Sequence, residues 1–319
     1  MSYHLGIDTS NYTTSVALYN DEDNTILNLK KLLPVKSGEK GIRQSDAVFH
    51  HTVQLPELIS KAFDGKSIEI KSIGVSTKPC NIENSYMPCF LTGMSVATSL
   101  SSAMRIPIYK FSHQDGHIAA ALYSAKKLEL INEKFIAFHV SGGTSQALLV
   151  EPYDNYFKTT LLSDSLDLKA GQAVDRVGLM LGLNFPCGPE LEKLALNSCA
   201  EYKKIKVFRR DGFFSLSGVE NKCKKMLDDN AKPEDIALYC LSYIHSAIED
   251  SVIELTEQLG DLPIVFSGGV MSNTIIKEML ISKFKAYFAE PQFSSDNACG
   301  IAVLASICDK KGIVLCKHL

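Results

Sequence analysis

The chain has 319 residues, of which 45% are hydrophobic and 22% are charged. This composition is typical of a globular protein with enough apolar material for two cores. The formal net charge of −3 excludes RNA binding through overall positive charge, so any such contact needs a local patch. Nine cysteines without a C-x-x-C pair favour buried free thiols. Because neither a charged-then-apolar leader nor an apolar run of membrane-spanning length occurs, we expect a cytoplasmic, reduced protein without a membrane partner.

Residues 3–20 predict a β-hairpin, because two β-rich runs flank a short turn of Thr, Ser and Asn. The hydroxyl and backbone N–H groups of such a turn can hold a phosphate. A plain polar turn is the alternative, and these residues alone favour it. No catalytic residue is assigned, and Asp8 is the one candidate. The residues placed in the predicted phosphate turn are Thr9, Ser10, Asn11 and Thr13.

The stretch up to residue 111 predicts alternating strands and helices. Asp64, Gly65, Lys66 and Ser67 resemble the end of a nucleotide P-loop, but the glycine required five positions before Gly65 is Ser60, so that motif is excluded. The predicted strands cover residues 24–35, 68–76 and 107–111, and the predicted helices cover Gln44–Phe63 and residues 86–104.

A histidine pair follows directly. His113 and His117 lie four residues apart, ahead of an alanine-rich apolar run. On a helix these two positions share one face, so both imidazoles can bind one metal ion. A spacing of four residues alone is more often a chance pair on a surface helix than a metal site. A zinc-protease helix requires glutamate directly after the first histidine, and Gln114 stands there, so that class is excluded.

The second half of the chain begins with the same design. Residues 134–151 read as strand, small polar turn and strand, and Gly142 with Gly143 lets a ligand approach the backbone. Two similar hairpins predict a duplicated fold. We expect domains at residues 1–127 and 128–319. The last helix could pack on the first domain.

The remaining elements are mostly helical. Two helices are expected within residues 165–196, a long amphipathic helix over Pro233–Leu259, and further helices over residues 273–284 and 298–309, with strands at 262–267 and Ala286–Phe288. A basic stretch carries three phenylalanines, a composition that suits either RNA binding or a solvated face. Its basic residues are Lys203, Lys204, Lys206, Arg209, Arg210, Lys222, Lys224 and Lys225.

Several separated motifs together resemble one family, that of the tRNA threonylcarbamoyladenosine synthases, known as TsaD or Gcp. The resemblance runs from Gly6 to Ala305. Each motif is unspecific alone, but their common order is specific. The motifs are GIDTS (residues 6–10), HxxxH (113–117), VSGG (140–143), GxAxD with GP (171–175 and 188–189), SGGVxxN (267–273) and DN (296–297).

The resemblance implies an α/β fold like that of actin, the sugar kinases and Hsp70, with two ribonuclease-H-like domains around a nucleotide cleft. It implies one iron or zinc ion bound by His113, His117 and Asp296. It also implies ATP, ADP or an adenylate, with Asp175 or Glu192 accepting hydrogen bonds from ribose hydroxyls. The residues placed around the adenylate are Val140, Ser141, Gly142, Gly143, Thr144, Asp175, Gly188, Glu192, Gly268, Gly269 and Asn273.

The implied chemistry is acyl transfer. The family moves the carbamoyl carbon of threonylcarbamoyl-adenylate to the exocyclic amine of adenosine in tRNA, with AMP leaving. Implied partners are tRNA, and other subunits of a threonylcarbamoyl complex or a second copy of the chain. The competing hypotheses are a non-catalytic metal- and nucleotide-binding regulator or subunit, and an actin-like ATPase with another substrate.

Three departures from the family pattern bear on activity. The family's first turn carries an acidic pair, which is absent from residues 11–13. Thr144 replaces a histidine, and Glu220 replaces a lysine. Because losing a positioned general base costs a factor of about 10² to 10⁴ in rate, we expect weak or absent transfer by this chain alone. Glu220 would repel phosphate if it faced the bound nucleotide.

Overall fold

A computed structural model describes residues 2–10, 12–34, 42–65 and 67–312. The chain forms two compact units. The first comprises residues 1–131, 153–157 and 295–319, and the second comprises residues 132–152 and 158–294. The C-terminal helix therefore belongs to the first unit. None of the helices within the described residues is long and apolar enough to cross a membrane.

Each unit is built on a five-stranded mixed sheet. In the first unit the order is β3-β2-β1-β4-β5, with β1 antiparallel to β2 and parallel to β4. The strands are β1 (Ser2–Ser10), β2 (Thr13–Asn20), β3 (Thr25–Leu32), β4 (Glu69–Lys78) and β5 (Ile108–Ser112).

The sheet of the second unit repeats this plan. Its order is β8-β7-β6-β11-β12, with β6 antiparallel to β7 and parallel to β11. The duplicated α/β fold predicted from the two hairpins is thereby confirmed. The strands are β6 (Phe135–Val140), β7 (Ser145–Tyr153), β8 (Tyr156–Asp164), β11 (Ile264–Ser267) and β12 (Ala286–Phe288), and a separate two-stranded hairpin is formed by β9 (Arg209–Arg210) and β10 (Phe213–Phe214).

Helices cover both sheets. In the first unit α1 and α2 pack on the sheet, and α9 packs on β1, β2 and β4 as well as on α3. Strands β1 and β2 are buried almost throughout, as expected for central strands with both faces covered. The helices are α1 (Gln44–Phe63), α2 (Phe90–Met104), α3 (His113–Ser124), α4 (Ala170–Met180), α5 (Gly188–Ala195), α6 (Ser217–Asp228), α7 (Pro233–Leu259), α8 (Thr274–Ile281) and α9 (Cys299–Lys310).

Most predicted elements are confirmed, but the structure differs from the prediction in several places. The helix expected over residues 86–104 begins at Phe90, because Pro88 disfavours helical backbone at the residue before it. The prediction also lacked β8, of which Phe157 and Ser163 are the two fully buried residues. An edge strand that buries so little has almost no alternating hydrophobic pattern to read.

Candidate metal centre and nucleotide pocket

The predicted metal ligands come together in the first unit. His113 Nε2 lies 3.0 Å from His117 Nε2 and 3.5 Å from Asp296 Oδ1. His117 Nε2 lies 3.4 Å from the same carboxylate oxygen. The sequence brings them together through α3, which carries both histidines on one face, and through the segment before α9, which carries Asp296.

The donor set suits an iron or zinc ion. Ligand atoms about 2.1 Å from a tetrahedrally coordinated ion stand about 3.4 Å apart, which is close to the three separations observed. One ligand atom from each residue lies within 4.8 Å of the others, and the three residues are partly buried. Two imidazoles and one carboxylate form a facial set that leaves coordination positions open for substrate or water. His113, His117 and Asp296 therefore have the chemistry and the spacing of a metal centre.

Two residues of the first hairpin hold these ligands in place. Asp8, whose side chain is fully buried, accepts a hydrogen bond from His113 Nδ1 at 3.0 Å. Since an ionised carboxylate only accepts, Nδ1 carries the proton and Nε2 is left to face the metal position. Thr13 donates to Asp296 Oδ2 at 3.5 Å. The structure thus gives the candidate Asp8 a role in orienting a ligand.

The charges in the cluster support one another. Burial lowers the pKa of His113, but the charge of Asp8 and hydrogen bonds to Asp296 and Asp8 outweigh it and hold that pKa well above its ordinary value. Burial raises the pKa of Asp296, but hydrogen bonds from His113 and His117 hold it well below its usual range. The pKa of Asp8 is lowered despite burial, by the charge of His113. Both carboxylates are therefore ionised at neutral pH, the form that suits a cation site. The raised pKa of His113 means that a metal ion displaces the proton from its Nε2 on binding.

Close packing of α3 against α9 fixes the distance between the histidines and Asp296. A methyl group added at Gly300 would lie 1.9 Å from the backbone oxygen of Gly116 and 2.6 Å from the backbone nitrogen of Ala120. These two glycines let the helices approach at the level of the metal ligands. The site therefore depends on glycines that contribute no donor atom.

We expect Asp8→Asn to weaken binding of zinc or cobalt by about 10- to 100-fold, because a carboxylate that accepts the other ring N–H of a metal-bound histidine typically has an effect of this size. Competition with a chromophoric chelator measures the affinity directly. Asp21→Asn is the matched control, since Asp21 is also a buried carboxylate of the first unit but pairs with Lys310. Unchanged affinity in Asp8→Asn, or an equal loss in both variants, would contradict the orienting role.

The predicted nucleotide residues surround a cavity in the second unit. Its volume is about 350 Å³, at the lower end of the range for small-molecule sites. Six predicted residues line it: Gly142, Asp175, Gly188, Glu192, Gly269 and Asn273. The wall also includes residues that were not predicted from the sequence. They are Gly171, Val174, Pro186, Pro189, Leu241, Val270 and Ser272.

The polar side chains of this cavity are also tied into the fold. Asp175 Oδ1 accepts the backbone N–H of Cys187 at 2.9 Å, which fixes the turn before α5. Glu192 Oε1 accepts the backbone N–H of Thr274 at 2.7 Å. Asn273 caps α8 by accepting the N–H of Ile276 at 3.1 Å. These contacts hold the cavity wall in one arrangement.

The remaining residues predicted to surround the adenylate shape the two glycine turns. Ser141 Oγ accepts the N–H groups of Gly143 and Thr144 at 3.3 and 3.2 Å. Gly268 has a φ of +97°, and a side chain there would lie 2.2 Å from the backbone oxygen of Val140. Only glycine meets both conditions, so β6 and β11 end side by side at the cavity.

The residues of the predicted phosphate turn differ in their contacts and burial. Thr9 Oγ1 donates to the backbone oxygen of Cys89 at 3.0 Å and accepts from Gly93 N at 3.2 Å, which ties β1 to α2. Ser10 is buried, Tyr12 is 41% exposed, and Asn11 lies outside the described residues. The hydroxyl of Thr9 is therefore engaged within the fold.

Glu220 forms an ion pair in the second unit. Arg176 Nη1 lies 2.8 Å from Glu220 Oε2. Both side chains are substantially exposed, so the pair adds little to stability, but it offsets the negative charge that distinguishes this chain from the family pattern.

Solved structures place the fold in a class. The chain superposes on HypF, described in a phosphate- and nucleotide-bound form, with a TM-score of 0.61 and 14% identity, covering 96% of this chain and 55% of HypF. It superposes on component A of (R)-2-hydroxyglutaryl-CoA dehydratase from Acidaminococcus fermentans with a TM-score of 0.53 and 18% identity, covering 98% of this chain and all of that one. A ROK family glucokinase from Streptomyces griseus gives a TM-score of 0.53 and 9% identity over 95% of this chain and 99% of its own. The protein has the actin-like ATPase fold, with a two-histidine, one-aspartate cluster in its first unit.

Within that class, the sequence identifies the family. The family model described as TsaD, tRNA N6-adenosine threonylcarbamoyltransferase, matches residues 24–303. A relative of that name from Kosmotoga olearia is 32% identical over 326 residues, covering 97% of this chain and 94% of the relative. One from Buchnera aphidicola subsp. Schizaphis graminum is 28% identical over 330 residues with the same coverage. The chain belongs to the TsaD family.

Proposed function

We propose that this protein transfers a threonylcarbamoyl group from its adenylate to adenosine of tRNA, using one iron or zinc ion held by His113, His117 and Asp296. The observation that carries the proposal is the convergence of these three ligands within 4.8 Å in a member of a tRNA threonylcarbamoyltransferase family. When bound, the ion supplies Lewis-acid polarisation of the acyl oxygen.

The chain's own residues orient the groups around that chemistry. Asp8 keeps the proton of His113 on Nδ1, and Thr13 restrains the carboxylate of Asp296. In the second unit we assign the adenylate to the cavity, where Gly142 and Gly188 leave the backbone open to a ligand. The second carboxylate oxygen of Asp175 is the atom we assign to a ribose hydroxyl.

The proposed reaction needs an acceptor for one proton. The adenosine amine forms a bond to the carbamoyl carbon, the bond from that carbon to the phosphate oxygen of AMP breaks, and the amine gives up a proton to water or to the departing AMP. Asp8 is a poor acceptor for that proton, because it is fully buried and already accepts from His113. Residues 11–13 offer no carboxylate. We therefore propose turnover about 10² to 10⁴ below that of a family member with the acidic pair.

A second candidate is metal and nucleotide binding without turnover, in a regulator or a subunit of a larger assembly. The missing acidic pair at residues 11–13 favours this candidate. Its loss removes a possible proton acceptor but none of the candidate metal ligands or cavity residues. In either case we propose a cytoplasmic protein that acts with tRNA, with other subunits or with a second copy of itself.

Complementation in cells separates the two candidates. We expect the gene for this chain to restore measurable N6-threonylcarbamoyladenosine to the tRNA of a strain that lacks its own transferase. The modified nucleoside is quantified by mass spectrometry after digestion of total tRNA. Restoration by the wild type but not by His113→Ala supports transfer, and its absence in a strain that expresses the folded protein supports binding alone.

A further inference from the structure

We propose that an exposed strip of the second unit, Lys206, Phe208 and Arg210, binds unpaired nucleotides of tRNA. The strip leads into the β9–β10 hairpin. The inference rests on the proposed function for the identity of the RNA, and on the geometry of the strip for its location. Two cations with an aromatic ring between them match the two features of an RNA strand, its phosphates and its bases.

Alternation along the backbone puts the three side chains on one side. Lys206, Phe208 and Arg210 are exposed, whereas Val207 is buried and Arg209 is half-buried. The N–H of Ser215 donates to the backbone oxygen of Phe208 at 2.9 Å, which extends the hairpin ladder and fixes this orientation. Arg210 lies in β9 and Phe208 is paired with Ser215 next to that strand, so these two side chains share a face. The exposure of Lys206 beside the buried Val207 continues the row.

Two neighbouring cations are neutralised, whereas the two cations of the strip are not. Arg209 pairs with Glu254, and Lys204 lies 2.8 Å from Asp250 and 3.3 Å from Glu249. Lys206 and Arg210 form no ion pair within the part of the chain that the structure describes. The strip therefore keeps two positive charges for an outside partner.

The local charge contrasts with that of the whole protein. Residues 202–212 hold five basic side chains and one acidic side chain, Asp211, a formal charge of +4, whereas the whole chain carries −3. A solvated basic face has no need of an aromatic ring, yet Phe208 is 63% exposed. An exposed ring between two free cations is the arrangement expected for base stacking beside phosphate contacts.

Binding of an unmodified tRNA transcript, measured by fluorescence anisotropy over a range of salt concentrations, tests the strip without requiring chemistry. We expect Lys206→Ala/Arg210→Ala to reduce the slope of log affinity against log salt by about 1.4, because each phosphate contact to a single strand contributes about 0.7. We expect Phe208→Ala to weaken binding about tenfold with little change in slope, because stacking does not release counterions.

Lys232→Ala/Lys285→Ala is the matched control, since it removes two exposed lysines of the same unit. It should leave the slope within about 0.3 of the wild-type value. Equal slopes in the two double mutants, unchanged affinity in Phe208→Ala, or no binding of tRNA by the wild type would overturn the proposal. Threonylcarbamoyl transfer by the wild type at saturating tRNA is measured in parallel. If the wild type transfers the group but the strip variants bind tRNA as the wild type does, only the proposed role of the strip is refuted. If tRNA binds through the strip but no transfer occurs, only the proposed function is refuted.

Discussion

Replacing His113 and His117 together by alanine should lower bound iron or zinc from about one ion per chain to about a tenth or less. The double variant keeps one of the three ligands, Asp296, and a single carboxylate does not hold a transition metal against washing. The measurement is elemental analysis by mass spectrometry of protein prepared both aerobically and anaerobically, so that an oxidation-sensitive iron is not missed.

The control for this experiment is His50→Ala. His50 lies on α1 outside the cluster, and its removal should leave the metal content unchanged. Asp8→Asn should fall between the wild type and the double variant, because it disturbs the orientation of His113 but removes no ligand. Wild-type protein without metal under both conditions, or full occupancy in the double variant, would refute the metal centre.

Gly300→Ala should destabilise the protein by about 3 kcal/mol and weaken metal binding at the same time. In an unconstrained helix the same substitution stabilises by about 1 kcal/mol, because alanine is the better helix former. Here the new methyl group would lie 1.9 Å from the backbone oxygen of Gly116, and backbone cannot rotate away as a side chain can. Overpacking of this kind costs about 1–3 kcal/mol or more, so the sign of the effect is reversed.

Chemical denaturation measures the free energy of unfolding, and chelator competition measures the metal affinity. Gly188→Ala adds the same methyl group at a helix position with no atom within 4 Å, so its free energy of unfolding should stay within about 0.5 kcal/mol of the wild type. A stable Gly300→Ala with normal metal affinity would show that the contact between α3 and α9 does not set the positions of the ligands.

Much of the fold could be predicted from the sequence, because its signals are local. The helices Gln44–Phe63 and Pro233–Leu259 have periodic apolar faces, and the two hairpins have alternating strands around small polar turns. Helix α6 is predicted only as part of a basic region, and β8 is missed, because each presents a mostly exposed surface. Periodicity reports burial, so it cannot report elements that bury little.

The outer parts of the site could not be predicted, because they depend on contacts between distant residues. The hydrogen bond from His113 to Asp8 spans 105 positions, and the one from Thr13 to Asp296 spans 283. No periodic pattern encodes such pairs. The packing role of Gly300 has no signal in the sequence either, since a glycine within a helical pattern is usually a neutral or unfavourable residue. Similarly, Leu241 has the pattern of one more core position of α7, although it lines the cavity of the second unit.

Threonylcarbamoyl transfer that depends on His113 and His117 is tested most directly by reconstitution in vitro. Purified protein is incubated with threonine, bicarbonate, ATP, unmodified tRNA and a competent adenylate-forming enzyme, and the digested tRNA is analysed for N6-threonylcarbamoyladenosine. The Kosmotoga relative, which carries the transferase name, provides the reference rate. We expect product from the wild type at about 10² to 10⁴ below that rate, and none from His113→Ala/His117→Ala. Product at the same rate from both proteins, or no product from metal-loaded wild type that binds both nucleotide and tRNA, would contradict the proposed function.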